Sequence, residues 1–404
     1  MTAALGTRRR TGEGVASMPA SDLPTRRLGR TDLHITRVGF GAWAIGGAGY
    51  AYGWGRQDDG DSAAAIRYAV EHGVNWIDTA PVYGLGHSEE IVGAALAPYA
   101  EPDRPYLFTK CGLTWDETER SRPPRAAGAP KQLRRGLEGS LRRLGVERID
   151  LYQLHWPRAA GVPRAETWQT LLDLRQEGKV RAVGLCSQNI AGFAAAATPG
   201  RPDAAQPPFS AVDREAAEGL LGWCAANEVG VLAASPMQCG LLTGAFTRDR
   251  VAALPADDWR RGDGEFVGAA LDRNLDLARR MGDVAHRRGR TLAAVAVAWT
   301  LAWPGVTGAI VGARRPDQVR DWLPAATEPL DGDDLDEIAE AIERSGAGTG
   351  PTRPPVPVDP PPAAAPTSPG PSLAEPAPLP SAAADGTYRV TTDRSRGDLL
   401  AEPS

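Results

Sequence analysis

Four residues whose side chains can hold or move a proton follow short apolar segments of this sequence: Asp78, Tyr83, Lys110 and His155. Tyr83 lies five residues after Asp78, in a glycine-containing turn. A free tyrosine has a pKa of about 10, which is too high for an efficient proton donor at neutral pH. Because a neighbouring ammonium lowers such a pKa by roughly 1–3 units, we expect Lys110 to lower the pKa of Tyr83. Asp78 would keep Lys110 charged and fix its position.

Together these residue types predict an acid that protonates an oxygen on which negative charge develops. His155 can donate a hydrogen bond to the same oxygen and orient it. A carbonyl group that accepts a hydride is the reaction partner that fits this chemistry. Each residue alone also has an ordinary structural explanation: a loop-capping aspartate, a surface lysine or a core histidine. Their occurrence at successive strand ends favours a shared task.

The elements that must position these residues are short apolar strands alternating with amphipathic helices. The predicted strands are Val38–Phe40, Val74–Ile77, Tyr106–Thr109, Ile149–Leu154, Ala182–Leu185, Phe209–Val212, Val229–Ala233 and Thr307–Val311. The predicted helices are Asp61–Glu71, Ser88–Leu96, Pro130–Leu144, Glu166–Glu177, Glu215–Asn227, Leu271–Arg288 and Asp333–Arg344. About eight such units favour an α/β fold with a single (β/α)8 TIM barrel, although a doubly wound sheet also alternates. In a barrel, the strand ends open onto one face, where Asp78, Lys110 and His155 would meet.

A loose dinucleotide-binding pattern, Gly39-Phe-Gly41-Ala-Trp-Ala44, follows the first predicted strand. That fingerprint requires a helix to begin at its second glycine, so that the helix N-terminus holds the pyrophosphate. Here the pattern continues into a glycine-rich segment typical of a loop. The sequence therefore argues against a Rossmann domain.

Composition narrows the class of protein. The 404 residues are 42% hydrophobic and carry a net charge of −5, so no basic surplus predicts nucleic-acid binding. Four cysteines lie far apart without a C-x-x-C pair, and the histidines have no metal-ligand spacing, which favours a reduced, cytoplasmic protein without a metal site. The longest apolar run, 292–303, is too short to span a bilayer. Only three residues are lysine: Lys110, Lys131 and Lys179.

Composition also predicts three regions. Residues 1–24 lack hydrophobic periodicity and are expected to form a disordered N-terminal extension. Residues 25–345 are expected to form the barrel. Residues 346–404 form a Pro/Ala-rich tail that we expect to be disordered, since 13 of the 30 residues from Pro351 to Pro380 are proline.

The ordered set of motifs resembles the aldo-keto reductase superfamily over essentially all of residues 26–323. The matching segments are Arg27-Leu-Gly-Arg, Trp76-Ile-Asp-Thr-Ala-Pro-Val-Tyr-Gly, Gly86-His-Ser-Glu-Glu, Ser140-Leu-Arg-Arg-Leu-Gly, Ile149-Asp-Leu-Tyr-Gln-Leu-His-Trp-Pro, Gly178-Lys-Val-Arg-Ala-Val-Gly, Ser235-Pro, Gly240-Leu-Leu-Thr-Gly and Gly312-Ala-Arg-Arg-Pro-Asp-Gln. The resemblance implies a barrel that binds extended NADPH at the strand C-termini and passes hydride to an aldehyde or ketone. The family's catalytic tetrad falls on Asp78, Tyr83, Lys110 and His155, with Tyr83 as general acid.

The resemblance also assigns cofactor contacts. The matching positions are Ser187, Gln206, Ser235, Gly312, Arg314 and Gln318. Arg314 is placed for the adenosine 2′-phosphate, because its planar fork suits bidentate binding; a plain solvated charge is the alternative. Three positions depart from the family pattern: Cys186 replaces a serine of the usual Ser-Asn pair, Ala234 an aromatic residue that stacks on the nicotinamide, and Trp322 an asparagine near the adenine.

Aromatic residues are expected to line the substrate pocket: Trp43 and Trp156 match family positions, and Trp54 lies in a loop on the same face. Specificity is expected in the loops around Trp54, in 113–129 and in 243–267, and neither the substrate nor the oligomeric state can be read from them. The leading hypothesis is an NADPH-dependent reductase of a small aldehyde or ketone. One alternative is a cofactor-sensing regulatory protein resembling potassium-channel β subunits, with little turnover; another is a barrel isomerase or lyase without nicotinamide.

Overall fold

The computed structural model describes residues 23–155, 162–186 and 200–355. Most of the predicted site residues fall within these ranges. Trp156 and Ser187 lie outside the described residues.

Eight parallel strands close into a barrel, which confirms the predicted (β/α)8 architecture over the open sheet. The strands of the described residues are β1 (Thr25–Arg27), β2 (His34–Thr36), β3 (Val38–Gly41), β4 (Trp76–Asp78), β5 (Tyr106–Cys111), β6 (Leu113–Thr114), β7 (Arg125–Ala126), β8 (Ile149–Leu154), β9 (Val180–Leu185), β10 (Ala204–Ala205), β11 (Gly230–Ala233) and β12 (Val306–Gly312). The barrel runs in the order β3-β4-β5-β8-β9-β10-β11-β12, and β12 pairs with β3 to close it. Two antiparallel hairpins, β1–β2 and β6–β7, lie outside the ring.

Helices surround this ring and cover its apolar outer face. They are α1 (Asp59–Glu71), α2 (His87–Leu96), α3 (Pro130–Leu144), α4 (Arg164–Gln176), α5 (Leu220–Ala226), α6 (Arg248–Ala252), α7 (Gly268–Arg287), α8 (Leu292–Leu301), α9 (Pro316–Trp322) and α10 (Gly332–Ser345). Every residue of α8 is buried, so the longest apolar run forms a core helix. Within the described ranges, no helix is both long and apolar enough to cross a bilayer.

The N-terminal hairpin contributes to the barrel interior. Leu28, Leu33 and Ile35 are fully buried in one cluster with inward-facing side chains of the barrel strands, among them Trp76. The Trp76 indole donates a hydrogen bond to the Thr36 carbonyl oxygen at 2.9 Å. A Cβ on Gly39 would lie 2.1 Å from the Trp76 ring, so this glycine of the loose dinucleotide pattern serves close packing.

The strand predicted at Phe209–Val212 is wrong, because the sixth barrel strand is β10, the two residues Ala204–Ala205. Ser210 turns the chain at the predicted site: its Oγ accepts hydrogen bonds from the backbone N–H groups of Val212 and Asp213, at 3.1 and 3.0 Å. Two prolines precede this turn and remove the donors that a ladder needs. An Ala-Ala strand carries no β-branched or aromatic signal, which is why the sequence pattern misses it.

The helix predicted over Glu215–Asn227 is also interrupted. It consists of a 3-10 turn, Glu215–Glu218, followed by α5, with Gly219 in an extended conformation between them. Helices α6, α8 and α9 are absent from the predicted set.

The chain stays packed on the barrel beyond residue 345, the end predicted for the folded region. Ala347 is buried, and its carbonyl oxygen accepts a hydrogen bond from Arg214 Nη1 at 3.1 Å. Gly348 has φ +59°, and a Cβ there would overlap the carbonyl oxygen of Val212. The described part of the fold therefore includes residues 346–355.

Candidate active site

The four predicted catalytic residues come together at the C-terminal mouth of the barrel. Asp78 is the last residue of β4, Lys110 lies near the end of β5, and His155 directly follows β8. Tyr83 begins a 3-10 turn between β4 and α2. The inward-facing positions of a strand recur every second residue, so Trp76 and Asp78 share the barrel interior.

Lys110 and Asp78 form a fully buried ion pair. Lys110 Nζ lies 2.5 Å from Asp78 Oδ1 and also donates a hydrogen bond to the Thr79 carbonyl oxygen at 2.9 Å. Burial lowers the pKa of Lys110, but Asp78 and Tyr83 raise it by more, so the net shift is upward. Lys110 is therefore an ammonium at neutral pH.

The second oxygen of Asp78 is held by two glutamine amides. Gln206 Nε2 donates to Asp78 Oδ2 at 2.8 Å, and Gln153 Nε2 donates to it at 3.2 Å. Gln153 is not among the residues predicted from the sequence, although a polar residue at an inward position of the apolar strand β8 is a signal for it. The contact of Gln206 with Asp78 is equally unexpected from its predicted role at the nicotinamide.

Tyr83 packs against both the Lys110 ammonium and the His155 imidazole. Lys110 Nζ lies 4.9 Å from the Tyr83 ring centroid, and the His155 ring lies 5.8 Å away, nearly perpendicular to the tyrosine. Burial raises the pKa of Tyr83 to about 12, while Lys110 lowers it. The expected lowering by Lys110 is present, but burial raises the pKa by more, so the net shift is upward. Tyr83 therefore remains protonated at neutral pH.

His155 is neutral in this setting. Burial, with a smaller contribution from Lys110, lowers the pKa of His155 well below its usual range. A neutral imidazole keeps one N–H for a hydrogen bond to an uncharged oxygen.

Aromatic side chains form a wall beside Tyr83. Trp43 stacks on the tyrosine at 6.0 Å between centroids, and the Trp54 ring meets Trp43 edge-on at 5.1 Å. Trp259, which is not among the predicted pocket residues, stacks on Trp43 at 5.1 Å from within the predicted specificity segment 243–267. The Arg260 guanidinium lies 4.4 Å above the Trp54 ring and is paired with Asp258 at 2.6 Å.

Four of the predicted cofactor residues, Ser235, Gly312, Arg314 and Gln318, lie around β11 and β12, while Gln206 follows β10. Ser235 follows β11 with φ +54°, and its Oγ lies 3.7 Å from the Cys239 thiol. Gly312 ends β12, and the Gln318 side-chain oxygen accepts a 2.7 Å hydrogen bond from the Arg314 backbone N–H. Trp322 is buried in the core cluster.

The Arg314 side chain is engaged with the loop between β3 and α1. Its Nη1 donates to the Trp54 carbonyl oxygen at 3.2 Å, and its other nitrogens donate to the Arg56 carbonyl oxygen and the Gln57 side-chain oxygen. Gln57 returns a hydrogen bond to the Arg314 carbonyl oxygen at 2.8 Å. Burial lowers the pKa of Arg314, followed by the nearby Arg260. The guanidinium is thus neither a plain solvated charge nor an open anion ligand.

Comparison with known proteins shows which family the chain belongs to. A model described as the Aldo/keto reductase family matches residues 37–343. The chain belongs to the aldo/keto reductase family. Members are enzymes that act on small carbonyl compounds with nicotinamide cofactors, so this aldo/keto reductase is an oxidoreductase.

Individual relatives agree with that assignment. The chain is 33% identical to the aldo-keto reductase YhdN of Bacillus subtilis (strain 168), over 78% of this chain and 92% of the relative. It is 34% identical to the NADH-specific methylglyoxal reductase of Escherichia coli (strain K12), over 78% of this chain and 98% of the relative. The solved structure of a glycerol dehydrogenase from Gluconobacter oxydans superposes with a TM-score of 0.71 at 33% identity, covering 83% of this chain and 98% of that one.

Among the described residues, no cluster of three or more His, Cys, Asp or Glu side chains has the arrangement of a metal site. The described site therefore consists of proton-active side chains, amides and aromatic rings.

Proposed function

We propose that this aldo/keto reductase passes hydride from NADPH to an aldehyde or ketone, with Tyr83 as general acid. The supporting observation is the buried pair of Lys110 and Asp78 beside Tyr83, with the neutral His155 ring also in contact with the tyrosine. These are the groups needed to donate a proton to an oxygen that becomes negative.

The described residues fit a nicotinamide nucleotide at the barrel mouth. Gln206 Nε2 donates to Asp78 and Gln153, whereas its Oε1 accepts only a 3.6 Å contact from the Cys186 thiol in the described part of the chain. Gln206 Oε1 is therefore the atom that would accept a hydrogen bond from the nicotinamide amide. Ser235, Gly312 and Gln318 would hold the phosphates and adenosine, with Ser187 as a further contact. The nicotinamide supplies the hydride when it is bound.

Tyr83 would give its proton to the carbonyl oxygen, and the electron pair of the O–H bond would remain on the phenolate. Lys110 stabilises that phenolate electrostatically, because its ammonium lies against the tyrosine ring. His155 would donate its N–H to the same carbonyl oxygen and set its direction. Trp43 and Trp54, together with Trp156, would exclude water and pack on the carbon skeleton of the substrate.

Replacement of Tyr83 by phenylalanine tests the general acid. Tyr83→Phe is expected to lower kcat by about 10²–10⁴-fold on an aldehyde panel, while NADPH fluorescence on binding is retained. Tyr68→Phe is the matched control, since Tyr68 lies on α1 and stacks only on His72 among the described aromatic rings. Near-wild-type turnover of Tyr83→Phe would show that another group delivers the proton.

The preference for NADPH is proposed on the position of Arg314 at the end of β12. To contact a 2′-phosphate, Arg314 must exchange its bonds to Trp54, Arg56 and Gln57 for that phosphate. The name of the Escherichia coli relative makes NADH preference the competing outcome.

The nucleotide preference is tested by the ratio of the NADH and NADPH dissociation constants. In Arg314→Ala this ratio is expected to fall by about tenfold or more, the size of one lost charge-assisted contact. Arg315→Ala is the control, because Arg315 is exposed and paired with Asp317 at 3.2 Å. An unchanged ratio in Arg314→Ala would remove Arg314 from the assignment.

A cofactor-sensing regulatory protein is the second candidate, favoured by the absence of an aromatic residue at Ala234 and by Cys186 beside the nicotinamide position. Stopped-flow oxidation of bound NADPH by a panel of aldehydes separates the two. Slow single turnovers with every aldehyde would favour the sensor, and no fluorescence change on mixing with NADPH would favour an isomerase or lyase.

We propose that the protein acts in the cytoplasm. Its partner is a small aldehyde or ketone, and it binds no nucleic acid. The net charge of −5 supports the absence of a nucleic-acid partner. The four free cysteines support a reducing compartment.

A further inference from the structure

A small cavity opens where the loop after β3 meets the turn that begins at Tyr83. Its volume is about 210 Å³. It is lined by Gly46, Gly47, Ala48, Arg56, Gln57, Gly84, His87 and Arg120. Pockets for drug-sized ligands measure roughly 300–1,000 Å³, so this cavity suits one substituent or a small acid.

The lining contains two arginines, Arg56 and Arg120. Arg56 and Arg120 have no carboxylate within ion-pair distance in the described part of the chain, whereas Arg122, two residues along, is paired with Glu119. His87 does have acidic neighbours: its Nε2 lies 3.0 Å from Asp59 and its Nδ1 lies 3.9 Å from Glu90. The two arginines are therefore the positive charges of the lining without an ion-pair partner among the described residues, while Asp59 and Glu90 bring negative charge beside His87.

The cavity lies next to the proposed catalytic turn. Gly84 follows Tyr83 in the chain, and Arg120 Nη2 donates a hydrogen bond to the Gly84 carbonyl oxygen at 3.3 Å. Its charged residues follow the consecutive strands β3, β4 and β5. Of the proposed nucleotide residues, Ser235 and Gly312 follow β11 and β12, but Arg314 donates hydrogen bonds to the Arg56 carbonyl oxygen and the Gln57 side chain of the cavity lining. The cavity therefore lies between the proposed catalytic turn and Arg314, and its contact with the Tyr83 turn favours a substrate group over the nucleotide.

We propose that the cavity between Arg56, Arg120 and His87 binds the carboxylate or phosphate of an anionic aldehyde or ketone substrate. A guanidinium presents paired N–H groups that match both oxyanions, and Gly47 faces open space beside them. The proposal rests on the carbonyl reductase function and adds to it the class of substrate: a carbonyl compound with a second, negatively charged group.

Paired substrates test the charge requirement. The ratio of kcat/KM for 4-carboxybenzaldehyde to that for benzaldehyde is expected to exceed one in the wild type and to fall at least about tenfold in Arg120→Gln, since one charge-assisted contact is lost. Arg120→Lys keeps the charge and is expected to retain much of the preference. Arg122→Gln, in the same segment but paired with Glu119, is expected to leave the ratio unchanged. The proposal fails if Arg120→Gln and Arg56→Gln both keep the wild-type ratio.

Calorimetry with inorganic phosphate tests the cavity without turnover. Wild-type protein is expected to bind phosphate, and the double variant Arg56→Gln/Arg120→Gln is expected to bind it at least about tenfold more weakly. If the double variant loses phosphate binding but the wild-type protein reduces no aldehyde, anion binding in the cavity is supported and the reductase proposal fails. Undiminished phosphate binding in the double variant would overturn the proposed anion site, whether or not the protein reduces aldehydes. Phosphate that competes with NADPH instead of with 4-carboxybenzaldehyde would also overturn it.

Discussion

A fully buried ammonium must find all its partners within a few ångströms, and Lys110 finds Asp78 Oδ1 and the Thr79 carbonyl oxygen. Arginine carries the same charge on a larger planar group, for which this site is too small. Gln153 and Gln206 hold the other carboxylate oxygen, so Asp78 cannot turn away from the lysine. The chain retains lysine here although nearly all its other basic residues are arginine.

Replacing Lys110 tests this requirement. Lys110→Met and Lys110→Arg are both expected to lower kcat for aldehyde reduction by about 10²-fold or more, the first through loss of charge and the second through displacement of Asp78 and Tyr83. Lys131→Arg, an exposed change at the start of α3, is the control and is expected to be silent. Wild-type kcat in Lys110→Arg would show that charge alone is sufficient.

The pH profile follows from the pKa of Tyr83, which burial raises to about 12. Reduction uses the protonated phenol, which persists below that pKa, so its kcat/KM is expected to stay level over roughly pH 6–10. Alcohol oxidation uses the phenolate, so its kcat/KM is expected to rise about tenfold per pH unit over the same range. A reduction rate that falls with a midpoint near pH 8 would assign proton donation to a different group.

At the scale of elements, the sequence predicts best where a strand has a strong apolar pattern. The ends of β4, β5 and β8 are recognised within one or two residues, and this is why Asp78, Lys110 and His155 are found. Strand β10 has only two alanines, and its place in the barrel comes from pairing with β9 and β11, which local composition does not report.

The close packing of β3 against Trp76 gives a stability prediction. Gly39→Ala is expected to lower the free energy of unfolding by about 1–3 kcal/mol, because its Cβ would collide with the Trp76 ring. Gly282→Ala is the matched control: Gly282 lies inside α7 with open space around its Cβ position, and alanine there is expected to add about 0.5–1 kcal/mol. Urea denaturation of both variants measures the difference. Equal urea midpoints for the two variants would mean that β3 shifts away from Trp76 without loss of stability.

At the scale of the whole molecule, the features that the sequence does not predict are contacts between segments far apart in the chain. Trp259 reaches Trp43 from a long segment with no transferable motif, and Arg314 binds a loop about 260 residues earlier. The sequence predicts residues 346–355 to be part of a proline-rich tail. Their packing depends on Arg214, whose guanidinium needs acceptors that only the folded chain brings together.

Shortening the chain tests that last contact. Arg214 is buried, and its guanidinium donates to the carbonyl oxygens of Ala347 and Gly350, each at 3.1 Å. A chain that ends at Ser345 removes both acceptors and leaves a buried charge poorly solvated, for which we expect a loss of about 3 kcal/mol in the free energy of unfolding. A chain that ends at Pro355 keeps both acceptors and is expected to unfold at the same urea concentration as the full chain. If both shortened chains unfold together, segment 346–355 contributes no stability and Arg214 finds other partners.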